Sequence, residues 1–435
     1  MQTSLPPGPR WPAVVQTVQY ATRTREHLLE LRARYGDLFT IRALNGDVAM
    51  GCTPAHAKTI FTADPDGYLA FATGALDSLV GSRSILVSSG ALHRRQRKLV
   101  VPPFHGQRMR AYGAAMREVA RDHAARWPRG TELRLHDATL QISLDVILRT
   151  VFGVAAGPDI EDARRVVEGA LSALSPVLVF TKATQHPLVP AWRRFLRAKE
   201  DFDAFVARCL ARRRAAGEGG DDIVSMFLAA RAEDGSAMPD EEIRDHLLAL
   251  LVAGHETTAI ALAWMVYLVC SDPEVLAKLR AELDAAGDAD ADVIAKLPYL
   301  SAVWDETLRL EPIVTDVVRT LREPLELGGF LIPKGACVGV AIDVIHRDPT
   351  LYPEPERFRP ERFLERRMSA FEHLPFGGGH RRCVGAAFSE YEGKLVLAEL
   401  LRTLDFELKS KERRVRRNVT MAPEHGVRVV VRDRA

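Results

Sequence analysis

Residues 247–269 constrain this chain more than any other stretch. They form an apolar run long enough to cross a membrane, yet Gly254-His255-Glu256-Thr257-Thr258 interrupts its middle. Ionisable groups at the centre of a bilayer are expensive, so the run predicts a helix through the core of a large protein. Asp240, Glu241 and Glu242 follow Pro239 and predict where that helix starts, because acidic side chains suit its positive end. With 435 residues, 47% hydrophobic and 27% charged, the chain can bury a large core.

A polar break inside such a helix has two readings. The first is a neutralised glutamate with threonines bonded back to the backbone; the second is chemistry. His255-Glu256 opens the pattern of a zinc protease, but the second histidine would fall on Ala259, so no two-histidine face exists.

The rest of the chain reads as mainly α with a small β portion. A proline-rich lead-in runs through Pro12, and residues 23–35 look helical. Two short strands are expected within 38–50 around Asn45-Gly46. Helix dominates from about 54 to 310, with loops at 217–222 and 285–290. Strand signals return in 325–340, 349–363 has little periodicity, 384–404 is helical, and 427–431 looks like a last strand. No repeat or linker divides the chain, so one unit over 1–435 is expected. The net charge of +2 gives no case for nucleic acid. The N-terminus lacks the apolar run of a signal or anchor, so a cytoplasmic protein without a membrane anchor is expected.

Five cysteines are scattered with no CxxC pair, which argues against disulfides and structural zinc. Four suit buried apolar roles. Cys383 differs: Phe376-Gly377-Gly378-Gly379-His380-Arg381-Arg382-Cys383-Val384-Gly385 delivers it on a glycine-rich loop to the start of a helix. Glycines let a backbone turn tightly and approach a flat ligand. The helix terminus with Arg381 and Arg382 favours thiolate, the form a soft metal needs. The run lacks the Lys-Ser/Thr ending of a phosphate-binding loop.

The spacing Phe376-x-x-Gly379-x-Arg381-x-Cys383-x-Gly385 resembles the haem-ligand loop of the cytochrome P-450 superfamily. The resemblance implies that fold, with a long distal helix over a buried haem b (iron protoporphyrin IX). It implies Cys383 as the iron ligand, Arg381 on a propionate, and Phe376 near the proximal face. Gly254-His255-Glu256-Thr257 is similar to the family's acid–alcohol pair: Gly254 leaves room for oxygen, Thr257 hydrogen-bonds toward it, and Glu256 relays protons. Further matches follow. His93 and Arg97, four apart on one helix face, and Arg319 correspond to propionate positions. Glu306 and Arg309 would on their own be an ordinary surface ion pair. With Arg362 in Pro360-Glu361-Arg362-Phe363 they resemble a buried network behind the haem loop. By these motifs the likeness covers roughly 90–390.

The family's pocket-lining segments fall on 69–86, 248–253, 313–318 and 419–422, which are largely apolar. Leu251, Ala253, Val314, Thr315, Val318 and Met421 are the expected substrate contacts, and the expected substrate is a terpenoid, steroid, fatty acid or polyketide-like molecule. About 50 residues follow the haem loop, too few for a flavin or iron–sulfur domain. A monomer fed by a ferredoxin and a ferredoxin reductase from NAD(P)H is therefore expected, hydroxylating or epoxidising with O2. Arg94, Arg95, Lys98 and Arg382 are candidate docking cations, the first three as a solvated face. A haem-thiolate peroxygenase or isomerase is one alternative, against which the Glu256–Thr257 pair argues. A non-catalytic haem protein that binds a ligand or senses gas is the other.

Overall fold

The computed structural model describes residues 4–44, 46–70, 73–106, 108–154, 158–174, 178, 184–217 and 219–434. Asn45 of the expected turn, Phe71 and Ala72 of segment 69–86, and Glu218 of the loop at 217–222 lie outside the described residues.

The described helices of nine residues or more, in chain order, are α1 (Ala13–Thr22), α2 (Thr24–Tyr35), α3 (Pro54–Thr62), α4 (Gly90–Val100), α5 (Arg108–Arg126), α6 (Leu135–Thr150), α7 (Pro158–Ala173), α8 (Pro190–Ala216), α9 (Asp240–Ser271), α10 (Pro273–Ala286), α11 (Pro298–Leu310) and α12 (Ala386–Thr403). The strands are β1 (Leu38–Ala43), β2 (Gly46–Gly51), β3 (Tyr68–Ala70), β4 (Glu132–Arg134), β5 (Val317–Leu321), β6 (Leu325–Leu327), β7 (Phe330–Ile332), β8 (Cys337–Val340), β9 (Leu404–Leu408), β10 (Arg414–Arg417), β11 (Thr420–Pro423) and β12 (Arg428–Asp433). The largest sheet has the order β1-β2-β8-β5-β3, with β2 and β8 parallel. A smaller sheet runs β4-β12-β9, and β6-β7 and β10-β11 are two-stranded.

Helix α9 carries the apolar run into the core. Leu247, Ile260, Leu262, Met265, Val266 and Val269 are all shut off from solvent. Burial of this kind on several faces is the mark of a core helix. Among the described residues α9 is also the one helix long and apolar enough to cross a membrane, and 61% of its apolar window is buried within the protein. Its first turn carries Asp240, Glu241 and Glu242, as the sequence predicts. Asp272 then caps α10 by accepting from the amides of Glu274 and Val275, with Pro273 in the first turn.

Helix α1 was not expected. Only Gln16 of its residues is buried, while Val14, Val15 and Val18 stand exposed, so no apolar stripe announces it. Strands β3 and β4 have three residues each, too short to show alternation. The loop expected at 285–290 starts later, because α10 continues to Ala286 and ends at Gly287 with φ +54°.

Candidate functional site

The cysteine loop is held in a shape that only glycine allows. Gly377 and Gly379 have φ of +65° and +66°. A Cβ on Gly378 would lie 2.4 Å from the Phe61 ring, and one on Gly379 would lie 2.1 Å from the Phe61 carbonyl oxygen. The Cys383 amide donates to Phe376 O at 3.1 Å and closes the loop. Cys383 is the one exposed cysteine of the five. Yet burial pushes its thiol pKa up, with the Gly385 amide and then the Arg382 and Arg97 charges pulling it back. Cys383 is thus accessible as a residue yet desolvated by the protein around it, as a side chain on an interior surface would be.

Helix α9 opens toward the interior at its polar break. Ala253 is exposed, Gly254, Glu256 and Thr257 are half-buried, and a Cβ on Gly254 would meet nothing within 4 Å. Thr257 Oγ1 donates to Ala253 O at 2.6 Å, a bond back to the helix that competes with its regular ladder. Burial raises the Glu256 pKa, and the charge of Arg417 opposes that rise. Thr258 Oγ1 lies 3.1 Å from Ser389 Oγ, joining α9 to α12 close to where each becomes accessible. His255 points away, with Nε2 3.0 Å from Leu140 O.

A group of cations lies beside the loop, and among the described residues no carboxylate pairs with it. Burial and the nearby charges of Arg381, His380, Arg97 and Arg319 hold the His93 pKa down at about 3. Burial, then Arg381, lowers Arg319 to about 10. Arg97 donates to Arg382 O at 2.9 Å, Arg319 to Val318 O at 3.0 Å, and Arg381 to Ser88 O and to Ser89 Oγ. None of these arginines is ion-paired among the described residues. The buried Arg309, Arg347, Arg362 and Arg414 all are. Like charges kept close in a desolvated place cost energy unless an anion joins them. An accessible sulfur beside such unpaired cations suits a flat iron ligand carrying two carboxylates, so these residues fit a haem.

The Glu306–Arg309 pair is not a surface pair. Both side chains are fully buried, Arg309 donates through Nε and Nη2, and Arg362 Nε donates to the same carboxylate at 3.0 Å. Arg309 Nη1 reaches the carbonyls of His346 and Pro355, each at 2.8 Å. His346 Nε2 in turn accepts the Leu374 amide at 2.8 Å, which links the network to the segment leading into the cysteine loop.

Exposure and pairing separate the residues of two further expectations. Leu251 and Thr315 are 1% exposed and Met421 is 6% exposed, so they present little or no open surface. Leu251 packs in the main core, Thr315 Oγ1 donates to Asp316, and the Met421 amide donates to Ile313 O. Ala253, Val314 and Val318 keep accessible surface. Arg94 and Lys98 are exposed, as expected of a solvated face, but each is paired, with Asp66 and Glu233, and the half-buried Arg95 pairs with the buried Glu242. Arg382 alone of the four is exposed and unpaired among the described residues. Arg417 was missed altogether. It ends β10, and its charge acts on Glu256 because the β10–β11 hairpin packs on α9 through β11, which no local pattern signals.

A helical body with a small sheet portion, a glycine-locked accessible cysteine and an opened core helix define a haem-thiolate protein. The family model for cytochrome P-450 matches residues 5–429. The chain is 37% identical to cytochrome P-450 135B1 of Mycobacterium bovis, over 98% of this chain and 91% of that one. It is 33% identical to cytochrome P-450 138 of Mycobacterium tuberculosis, over 99% and 97%. The solved structure of the cyanobacterial CYP120A1 with retinoic acid bound superposes with a TM-score of 0.88 at 25% identity, each chain covered completely. The chain belongs to the cytochrome P-450 family. It is a monooxygenase that uses a haem iron, O2 and redox partners.

Proposed function

We propose that Cys383 is the thiolate ligand and metal-binding residue for the iron of a haem b. Phe376 and Gly379 shape the proximal loop, and His93, Arg97, Arg319 and Arg381 hold the propionates. The observation that carries this is the accessible yet desolvated Cys383 beside three unpaired arginines. When bound, a thiolate-ligated haem supplies oxygen activation and O–O cleavage. The chain's residues do the rest. The Gly385 amide and the Arg97 and Arg382 charges stabilise negative charge on the sulfur. Gly254 leaves space beside the helix. The Thr257 hydroxyl, parked on Ala253 O, rotates to present its proton to oxygen, and Glu256 takes protons from water to resupply it.

The proposed substrate is an apolar molecule of the terpenoid, steroid, fatty-acid or polyketide-like kind, hydroxylated or epoxidised over Ala253, Val314 and Val318. The retinoic acid in the cyanobacterial relative, an apolar acid, supports that class. A ferredoxin and its reductase supply electrons to a monomeric, cytoplasmic, single-domain enzyme. The reduced carbon monoxide spectrum tests the thiolate: the thiolate-type band is expected in the haem-loaded protein, and its absence from folded protein would refute the ligand assignment. Thr257→Ala should release peroxide in place of product; unimpaired coupling would contradict its role.

A further inference from the structure

Several polar groups behind Glu256 have no partners. Glu256 and Arg417 make no side-chain hydrogen bond or ion pair among the described residues. His136, 1% exposed at the start of α6, has neither ring nitrogen satisfied. Asn418, at the β10–β11 turn with φ +56°, has a buried Oδ1 without a partner. Three elements bring them together. Strand β11 packs on α9, the His136 amide donates to Gly426 O just past the hairpin, and Arg417 is the hairpin residue whose charge reaches both Glu256 and His136. Buried polar groups without protein partners are satisfied by ordered water when several converge.

We propose that Arg417 is the positioning residue for the acid on the distal helix, holding Glu256 as a carboxylate over a water-filled pocket shared with His136 and Asn418. This rests on Glu256 being the proton-relaying acid. The waters would be the supply from which Glu256 takes protons, and the guanidinium offsets the cost of a half-buried carboxylate. The other charges nearby are few. Arg134 at the end of β4 and Asp137 on α6 flank His136; on α9, His255 turns to Leu140 O and feels Glu168 of α7. His136 itself is held neutral, its pKa pushed down to about 4 by burial first and Arg417 next. Among the described residues, Arg417 is the cation whose charge acts on Glu256.

The test compares Arg417→Gln and Arg417→Lys in the haem-loaded protein, with Glu256→Gln as the reference that identifies the carboxyl band in infrared pH titrations. Arg417→Gln should move the Glu256 midpoint up by about one pH unit, and Arg417→Lys should restore it. Peroxide release during NADH oxidation, driven by a surrogate ferredoxin pair, should shift its acid limb the same way. An unchanged midpoint or limb in Arg417→Gln overturns the proposal. If Glu256→Gln leaves peroxide release untouched, the relay role of Glu256 falls instead, whatever Arg417 does to its charge.

Discussion

Arg309 grips Glu306 with two hydrogen bonds, Nε to Oε2 at 2.7 Å and Nη2 to Oε1 at 2.9 Å, and neither side chain reaches solvent. Arg362 Nε and the Arg359 amide donate to the same carboxylate. Removing the acid strands two buried guanidinium groups, which is the expensive direction in which to break such a network. Glu306→Leu should cost about 3–5 kcal/mol in urea unfolding. A loss under about 1 kcal/mol, the scale of exposed pairs, would show the network to be dispensable.

The loop glycines should separate sharply. Alanine at Gly379 needs both a left-handed backbone and space already occupied by Phe61 O, and alanine at Gly378 meets the Phe61 ring. Gly385 has φ −82° and nothing near its missing Cβ. Gly379→Ala and Gly378→Ala should purify with a greatly reduced haem-to-protein absorbance ratio, Gly385→Ala with a normal one. Equal retention in all three would mean that the loop is not templated by Phe61.

What the sequence reveals depends on how far apart the partners lie. Cys383 and its glycines are legible because one loop carries them, and Glu256–Thr257 because they break an apolar run. Glu306 and Arg309 are adjacent on one helix, but their burial is not visible: the spacing alone fits a surface pair equally well. The carboxylates that neutralise Arg94, Arg95 and Lys98 come from other segments, so the basic run reads as a free cationic face when it is not. Leu251 is apolar whether it lines a pocket or fills the core, and only its exposure decides. The charge of Arg417 acts on Glu256 through tertiary packing and leaves no trace in either local pattern.

Burial holds His136 at about pH 4, below its ordinary 6.5. The unfolded chain therefore takes up a proton that the folded chain refuses, and this contribution to stability falls as pH drops from 6.5 toward 4. His136→Gln should remove that slope, worth roughly 3 kcal/mol across the window at most. The comparison with wild type isolates it from Glu392 and Asp305, whose raised pKa values give slopes of the opposite sign. Parallel stability–pH curves for the two proteins would rule it out.

Electron transfer offers a surface test. With Arg94, Arg95 and Lys98 already paired, Arg382 is the remaining free cation of the four, next to Cys383. Arg382→Glu should raise the KM for a ferredoxin several-fold at low salt, with the difference shrinking as salt screens it. Arg94→Glu should change it far less. The reverse ranking would move docking to the helix α4 face.

Glu392 poses the opposite problem from His136. It sits on α12, 1% exposed, with Oε1 lacking a partner, and burial pushes its pKa up to about 8 against the pull of Ser143. In the folded protein it keeps its proton at neutral pH, while the unfolded chain ionises near 4.5. Its contribution is therefore intact below pH 4.5 and is lost as pH rises through about 8. Gln carries no such titration and fills nearly the same volume. Glu392→Gln should gain on wild type steadily from pH 5 to pH 8, by roughly 4 kcal/mol at most, and hold a constant margin above that. Unfolding curves measured at three pH values decide it: a margin independent of pH would mean that Glu392 is ionised in the fold, held by water that reaches its unpaired oxygen.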